Sequence, residues 1–225
     1  MNNKNIDKQD QDILIDKVIT KQGDNGCTLS YFGAREQKCS IKIKLLGELD
    51  ELNACLGVAI CSCDIGMGYV RIIEEVQQKL FDIGAQLYSG NIRLHESDVE
   101  FLEKKVKEIN SLLEPLVSFV VPHGESAVWH VARAVCRRTE RRLWEVYFSI
   151  YNDISDVTGI NMLMKGHECS ACESKERVNG YVCEKWTKII EEGYKLVGRY
   201  LNRLSDLLFC ISRLGKDKNE VIWKR

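Results

Sequence analysis

The chain has 225 residues, 44% hydrophobic and 29% charged, a balance near the globular average that excludes a collagen-like or wholly disordered chain. It is about half again as long as a typical ~150-residue domain, so one large domain or one domain with an insertion is expected, not two independent ones. Lys plus Arg is 32 against 33 Asp plus Glu, a formal charge of −1; no global field favours nucleic acid or an anionic membrane, and an anionic ligand must be held by a local cluster.

Residues 1–17 are polar and without periodicity, which predicts a loose N-terminal extension ahead of a single domain over 18–225. They lack the apolar core of a signal peptide, and no run of about 18 apolar residues follows, so the expected setting is the cytoplasm, with no membrane partner. The segment Thr20-Lys21-Gln22-Gly23-Asp24-Asn25-Gly26-Cys27-Thr28 reads as a loop. From Ile41 to about Cys61, Leu45, Leu49, Leu52, Leu56 and Ala59 recur at steps of three and four, which predicts a helix with one buried stripe. Ile73, Val76, Leu80, Ile83 and Leu87 predict a second helix stopped at Gly90. Ser97-Asp98-Val99-Glu100 has the form of a capping box opening a third helix, which carries Leu102, Val106, Ile109 and Leu113 and ends at Pro115.

A fourth helix is expected from about Glu125 to Val146 or beyond, with Val128, Val131, Val135, Thr139 and Val146 toward the core. The fifth is the most regular: Ile190, Tyr194, Val197, Leu201, Leu204, Leu208 and Ile211 alternate steps of four and three. With only 2 prolines in the chain, the expectation is an all-α, up-and-down five-helix bundle, a four-helix core plus one. Residues 155–184 lack sustained helical spacing and read as an insertion before the last helix.

On the fourth helix, with Arg133 at 0°, Arg137 lies at about 40°, Glu140 at about −20° and Arg141 at about 80°, while the apolar stripe centres at about 200°. Five guanidinium groups in three turns, Arg133, Arg137, Arg138, Arg141 and Arg142, suit a polyphosphate, because arginine forks bind phosphate oxygens bidentately. The alternative is a solvated face of Arg and Glu pairs. Asn202, polar beside the fifth helix's seam, is either a ligand contact or a boundary residue bonded to a neighbouring helix. The glycines of the Thr20–Thr28 loop let backbone N–H groups approach an anion, with Lys21 as a point charge and Thr28 as a hydroxyl donor. There is no Walker A sequence, no His-Glu-x-x-His and no Gly-x-Ser-x-Gly. His130 reads as structural.

Ten cysteines stand at 27, 39, 55, 61, 63, 136, 169, 172, 183 and 210. In a reducing compartment most behave as small hydrophobes; Cys61 and Cys63 read as packing residues. Within the insertion, His167, Cys169, Cys172 and Cys183 offer four ligands for a structural zinc ion, Cys-x-x-Cys being half of a zinc knuckle; unliganded surface thiols are the other reading.

Three segments, in order and on the predicted elements, carry a resemblance. They are Thr20–Gly26 with Gly47-Glu48-Leu49-Asp50-Glu51-Leu52-Asn53, the helix from His130 to Arg141, and Tyr200-Leu201-Asn202-Arg203-Leu204-Ser205-Asp206-Leu207-Leu208-Phe209. The chain resembles the PduO-type ATP:cob(I)alamin (corrinoid) adenosyltransferases over most of residues 18–214 outside the insertion. The resemblance implies a homotrimer with ATP and corrinoid at subunit interfaces, Mg²⁺ on the triphosphate, and two partners, a corrinoid reductase and an adenosylcobalamin-dependent enzyme. By matching position it implies ATP contacts at Thr20, Lys21, Gln22, Gly23, Thr28, Lys38, Arg137, Arg138, Glu140, Arg141 and Asn202. It further implies a catalytic acid and arginine pair, Asp50 and Arg133, bridging two subunits, and a corrinoid-facing aromatic at Phe119. The chain departs from the family's pattern at Gln22, Cys39-Ser40, Pro122-His123-Gly124 and Thr139, where a small alanine is usual.

The activity so implied is transfer of the 5′-deoxyadenosyl group of ATP to cobalt(I), with tripolyphosphate as leaving group. Cobalt(I) is itself the nucleophile, so the residue types fit: alignment, water exclusion and fixed positive charge are what a protein must add. A non-catalytic ATP- or corrinoid-binding protein for delivery or sensing is the alternative on the same bundle.

Overall fold

The computed structural model describes residues 19–29, 35–155, 184–214 and 221–223. Its elements are β1 (Cys27–Leu29), β2 (Arg35–Gln37), α1 (Ile41–Ser62), α2 (Met67–Ser89), α3 (Glu96–Asn110), α4 (Ala127–Ser155), entered through a 3-10 turn at Gly124–Ser126, and α5 (Glu184–Ser212). Among the described residues the bundle has five helices, as expected. A small antiparallel hairpin joins it, with Cys27 opposite Gln37, Thr28 opposite Glu36 and Leu29 opposite Arg35. Strands of three residues are too short to show an alternating pattern.

Helices α4 and α5 form the most extensive interface, α1 packs on α4, α3 on α5 and α2 on α1. The expected stripe of α1 is buried throughout, Leu52, Leu56 and Ala59 completely. Its start is fixed by Ser40, whose Oγ accepts from Ile43 N at 3.2 Å. Asn53 Nδ2 donates to the Gln77 carbonyl and Gln77 Nε2 to the Asn53 carbonyl, at 3.3 and 3.1 Å. This reciprocal pair sets the register of α1 against α2 without leaving a polar group unpaired. Gly90 ends α2 in the left-handed conformation, φ 75°, its N–H returning to the Gln86 carbonyl. The seam of α5 is buried from Tyr194 through Val197, Leu201, Leu204 and Leu208 to Ile211.

Three expectations need correction. α3 begins at Glu96, so Ser97 lies inside its first turn; the reciprocal bonds run between His95 and Asp98 instead, His95 N to Asp98 Oδ2 at 2.8 Å and Asp98 N to His95 O at 3.0 Å. The Asp98 carboxylate, in the third position of the helix, reaches back to the N-cap as Glu100 was expected to do, and it also draws in Lys79 at 3.2 Å. α3 stops at Asn110 and not at Pro115, because the Ser111 hydroxyl takes the Glu108 carbonyl at 2.7 Å and the chain turns before proline is reached. On α4, Val131 is 56% exposed, while Trp129, Ala132, Cys136, Thr139, Leu143 and Val146 are buried. The buried arc is rotated by roughly 60° from the expected one, toward Glu140. The cause is that Ala132, Cys136 and Leu143 weigh more in the core than the valine spacing suggested.

Candidate functional site

The loop ahead of β1 is held in an unusual shape. Lys21 adopts φ 56°, left-handed backbone for a non-glycine residue, and Gly26 has φ 73°. Gly26 N donates to Gly23 O at 3.3 Å, and Lys38 N to Gly26 O at 2.9 Å. A Cβ on Gly23 would stand 2.7 Å from Lys38 Nζ, so the missing side chain is what lets the Lys38 ammonium lie against the loop. The hairpin is fastened at two points. Ser40 Oγ donates to Glu36 Oε1 at 2.7 Å, linking β2 to the start of α1, and Tyr88 on α2 donates its hydroxyl to the Leu29 carbonyl. Gln22, Cys27, Thr28, Leu29 and Arg35 line a shallow depression of about 120 Å³. Arg35 escaped the sequence reading, since only the strand register, which sets it opposite Leu29, brings it to this depression.

The rotation of α4 sorts its arginines. Arg137 and Arg141 are exposed, and among the described residues neither has an ion pair or hydrogen bond. Arg138 instead pairs with Glu51 on α1, and that bond is the first cause of its raised pKa. Arg142 donates from Nε to Glu48 Oε1 at 3.1 Å and also pairs with Glu145. Thr139 Oγ1 lies 3.1 Å from the Val135 carbonyl and 3.2 Å from that of Glu48, so its hydroxyl reaches a carbonyl of α1 as well as one of its own helix. Asn202 Nδ2 lies 3.5 Å from Glu140 Oε1, which brings these two residues together. Asn202 Oδ1 accepts from Arg203 at 2.7 Å, and Arg203 reaches Glu103 on α3 at 2.9 Å. The interhelical role foreseen for Asn202 is therefore present, on the same edge as the arginine face.

Asp50 is exposed on α1. Among the described residues no ion pair or hydrogen bond joins it to Arg133 or to any other group. Arg133 is half-buried and lies over the Phe209 ring, Cζ 5.2 Å from the centroid. Likewise, no described bond links the Thr20–Thr28 loop to α4.

Phe119 is 79% exposed and sits in a short pairing with the chain's C-terminal end that the sequence reading missed. Val120 bridges Ile222, Val121 N donates to Val221 O at 2.7 Å and Trp223 N to Phe119 O at 2.9 Å. The Phe119 and Trp223 rings meet edge to face at 6.2 Å. Leu116, Val117 and Trp223, all exposed, extend the apolar strip.

His130 Nε2 is buried without a hydrogen-bond partner. Burial first, and the neighbouring Arg133 charge second, hold its pKa below the usual 6.5. The unfolded chain therefore takes up this proton before the folded one as pH falls. Stability contributed by the neutral imidazole is full above about pH 6.5 and declines below it. Denaturant midpoints at about pH 7.5 and about pH 5 are expected to differ more for the native sequence than for His130→Gln; equal differences would remove His130 from the acid sensitivity. Buried Cys136 is the opposite case, its thiol kept protonated chiefly by desolvation.

The proposed zinc ligands His167, Cys169, Cys172 and Cys183 lie outside the described residues. Among the described residues no three His, Cys, Asp or Glu side chains cluster to hold a metal ion, and no helix is long and apolar enough to cross a membrane. Cys61 is exposed, contrary to a packing role; Cys63 is half-buried.

The family model described as cobalamin adenosyltransferase matches residues 18–161. The corrinoid adenosyltransferase of Mycobacterium leprae is 30% identical over 226 residues, covering 94% of this chain and 97% of its own. The cobalamin adenosyltransferase of Cupriavidus metallidurans is 29% identical over 217 residues, covering 94% and 96%. Among solved structures, a variant PduO-type ATP:corrinoid adenosyltransferase from Lactobacillus reuteri, complexed with cobalamin and ATP, superposes with a TM-score of 0.66 at 22% identity, covering 93% of this chain and 100% of that one.

Proposed function

The chain belongs to the cobalamin adenosyltransferase family and is an ATP:corrinoid adenosyltransferase, and we propose that its nucleotide is held between the Thr20–Thr28 loop of one copy and the α4 arginines of another. The observation that carries this reading is the pair Arg137 and Arg141, exposed and without a counter-ion among the described residues beside the Glu140 and Asn202 contact. A polyphosphate supplies the missing negative charge. Thr20, Lys21, Gln22, Gly23, Thr28 and Lys38 bind it from the loop side; Arg35, lining the same depression, joins them. Arg138 contributes at longer range, its guanidinium being engaged by Glu51.

In the reaction the electron pair of cobalt(I) forms the bond to C5′ of ATP as the C5′–oxygen bond breaks, and that bond's pair departs on tripolyphosphate. The protein's share is to line up the two substrates, exclude water and balance the charge gathering on the leaving group. Asp50 and Arg133 fix the geometry across the subunit boundary. Their lack of a mutual bond within one chain supports an assembly in which one copy's Asp50 meets the next copy's Arg133, and a homotrimer closes such contacts into a ring. Phe119, exposed on the apolar strip, faces the corrinoid. Mg²⁺ arrives on the substrate's phosphates, the usual arrangement for this ion at nucleotide sites; the described residues offer no cage of their own.

The described cysteines are all free thiols, which supports a reducing cytoplasm. There a reductase supplies cobalt(I) and an adenosylcobalamin-dependent enzyme receives the product. Anaerobic incubation with ATP and chemically reduced corrinoid is expected to give the adenosylated corrinoid spectrum and one tripolyphosphate per turnover. Folded protein that binds both substrates and yields no adenosylated product would falsify the catalytic assignment.

A further inference from the structure

Phe209, half-buried on α5, is surrounded by three nitrogen-bearing side chains. The Arg133 guanidinium lies 5.2 Å from its ring centroid and that of Arg213 6.0 Å, while the His130 ring meets it edge to face at 6.2 Å and 69°. Both guanidinium groups are within reach of the ring's negative face. Their situations differ. Arg213, one turn further along the chain, donates to the Glu114 carbonyl at 2.7 Å and is tied down by it. Arg133 has no hydrogen bond or ion pair among the described residues, and the ring is its described contact. His130 occupies its side of the ring largely as a neutral imidazole, since burial and Arg133 both disfavour its charged form, so it adds no third cation to the cluster.

A free arginine side chain loses much rotamer entropy on being fixed, and a guanidinium that must meet a carboxylate on another subunit bears that cost at assembly unless it is already placed. We propose that Phe209 is a positioning residue whose ring face holds the Arg133 guanidinium in its working orientation before the neighbouring copy's Asp50 reaches it. This rests on the reading of Arg133 given above. The ring is suited to the task because it attracts the charge without offering a hydrogen-bond acceptor that would compete with the incoming carboxylate.

The test compares Phe209→Leu, which keeps an apolar side chain and removes the π face, with Phe209→Tyr, which keeps the ring; Phe209→Met serves if the leucine protein does not fold. In arginine-labelled full-length protein, the Arg133 Nε–H resonance, assigned by its loss in Arg133→Ala, is expected to carry a ring-current shift. That shift disappears in Phe209→Leu and survives in Phe209→Tyr. In the adenosylation assay Phe209→Leu lowers kcat about tenfold, with KM for ATP within about twofold, and Phe209→Tyr restores it. On an Arg133→Ala background Phe209→Leu has no further effect on kcat. An unmoved resonance, or an equal loss of kcat with and without Arg133, overturns the proposal. Wild-type kcat in Arg133→Ala alone would instead defeat the catalytic reading of Arg133, and the resonance would still report whether the ring holds it.

Discussion

Replacing Arg137 with alanine is expected to weaken ATP binding by about ten- to a hundredfold while leaving the melting temperature of the ligand-free protein unchanged, the loss of a charge-assisted contact to phosphate. The two halves of the expectation have one cause. Arg137 is exposed on α4, and no described residue pairs with it, so truncation orphans no carboxylate inside the protein. Its charge is available only to a ligand. Arg142 is the contrast on the same helix: it donates to Glu48 at 3.1 Å, and the other oxygen of that carboxylate, Oε2, is buried without a partner. Removing Arg142 leaves Glu48 poorly satisfied, so Arg142→Ala is expected to lower stability more than ATP affinity. Arg137→Lys should recover only part of the binding, because an ammonium lacks the planar fork that grips two phosphate oxygens. Calorimetric titration of ATP into each variant, with thermal melts of the same samples, checks both halves. Unchanged ATP affinity in Arg137→Ala removes it from the nucleotide site.

Arg137 and Arg142 also show where sequence reading succeeds and where it stops. The amphipathic periods of α1 and α5 placed their buried stripes correctly from Leu45 to Ala59 and from Tyr194 to Ile211, because leucine-rich seams dominate the periodicity. α4 packs against both α1 and α5, so its buried arc is wider than a single stripe and includes alanine, cysteine and threonine. Counting valines therefore misplaced it and put Val131 inside. That rotation decides which arginines are spent on α1, and it could not be read from five arginines within three turns. Thr139 illustrates the same limit. Its departure from alanine was visible, but its use as a hydroxyl reaching the Glu48 carbonyl depends on where α1 lies. Contacts of this sort, with Lys38 against Gly23 and Trp223 against Phe119, join residues far apart in the chain or separated by turns. Local pattern carries no signal for them.

Gly198→Ala is expected to destabilise the bundle by about 1–2 kcal/mol even though alanine is the better helix former by about 1 kcal/mol. Gly198 lies buried in α5, facing α4. A Cβ there would stand 2.5 Å from Trp144 Cζ2, with two further ring atoms at 3.1 and 3.2 Å. The indole is a rigid body, and it is packed against Tyr147 and Phe148, whose rings lie 5.7 and 6.2 Å from its own. It cannot yield as the end of a flexible chain would, so α4 and α5 must part or the ring must leave its rotamer, either of which costs more than the helix propensity returns. At fixed protein concentration the melting temperature should fall by about 3–6 °C. The decisive measurement is the same substitution in a Trp144→Leu background. With the indole gone the clash disappears while the propensity gain remains, so Gly198→Ala should there raise stability by up to about 1 kcal/mol. A change of sign between the two backgrounds identifies the close approach of Gly198 and Trp144 as the cause. The same destabilisation in both would mean that α5 needs glycine at 198 for its backbone, and a gain in both would mean that the two helices do not meet as closely as their side chains indicate.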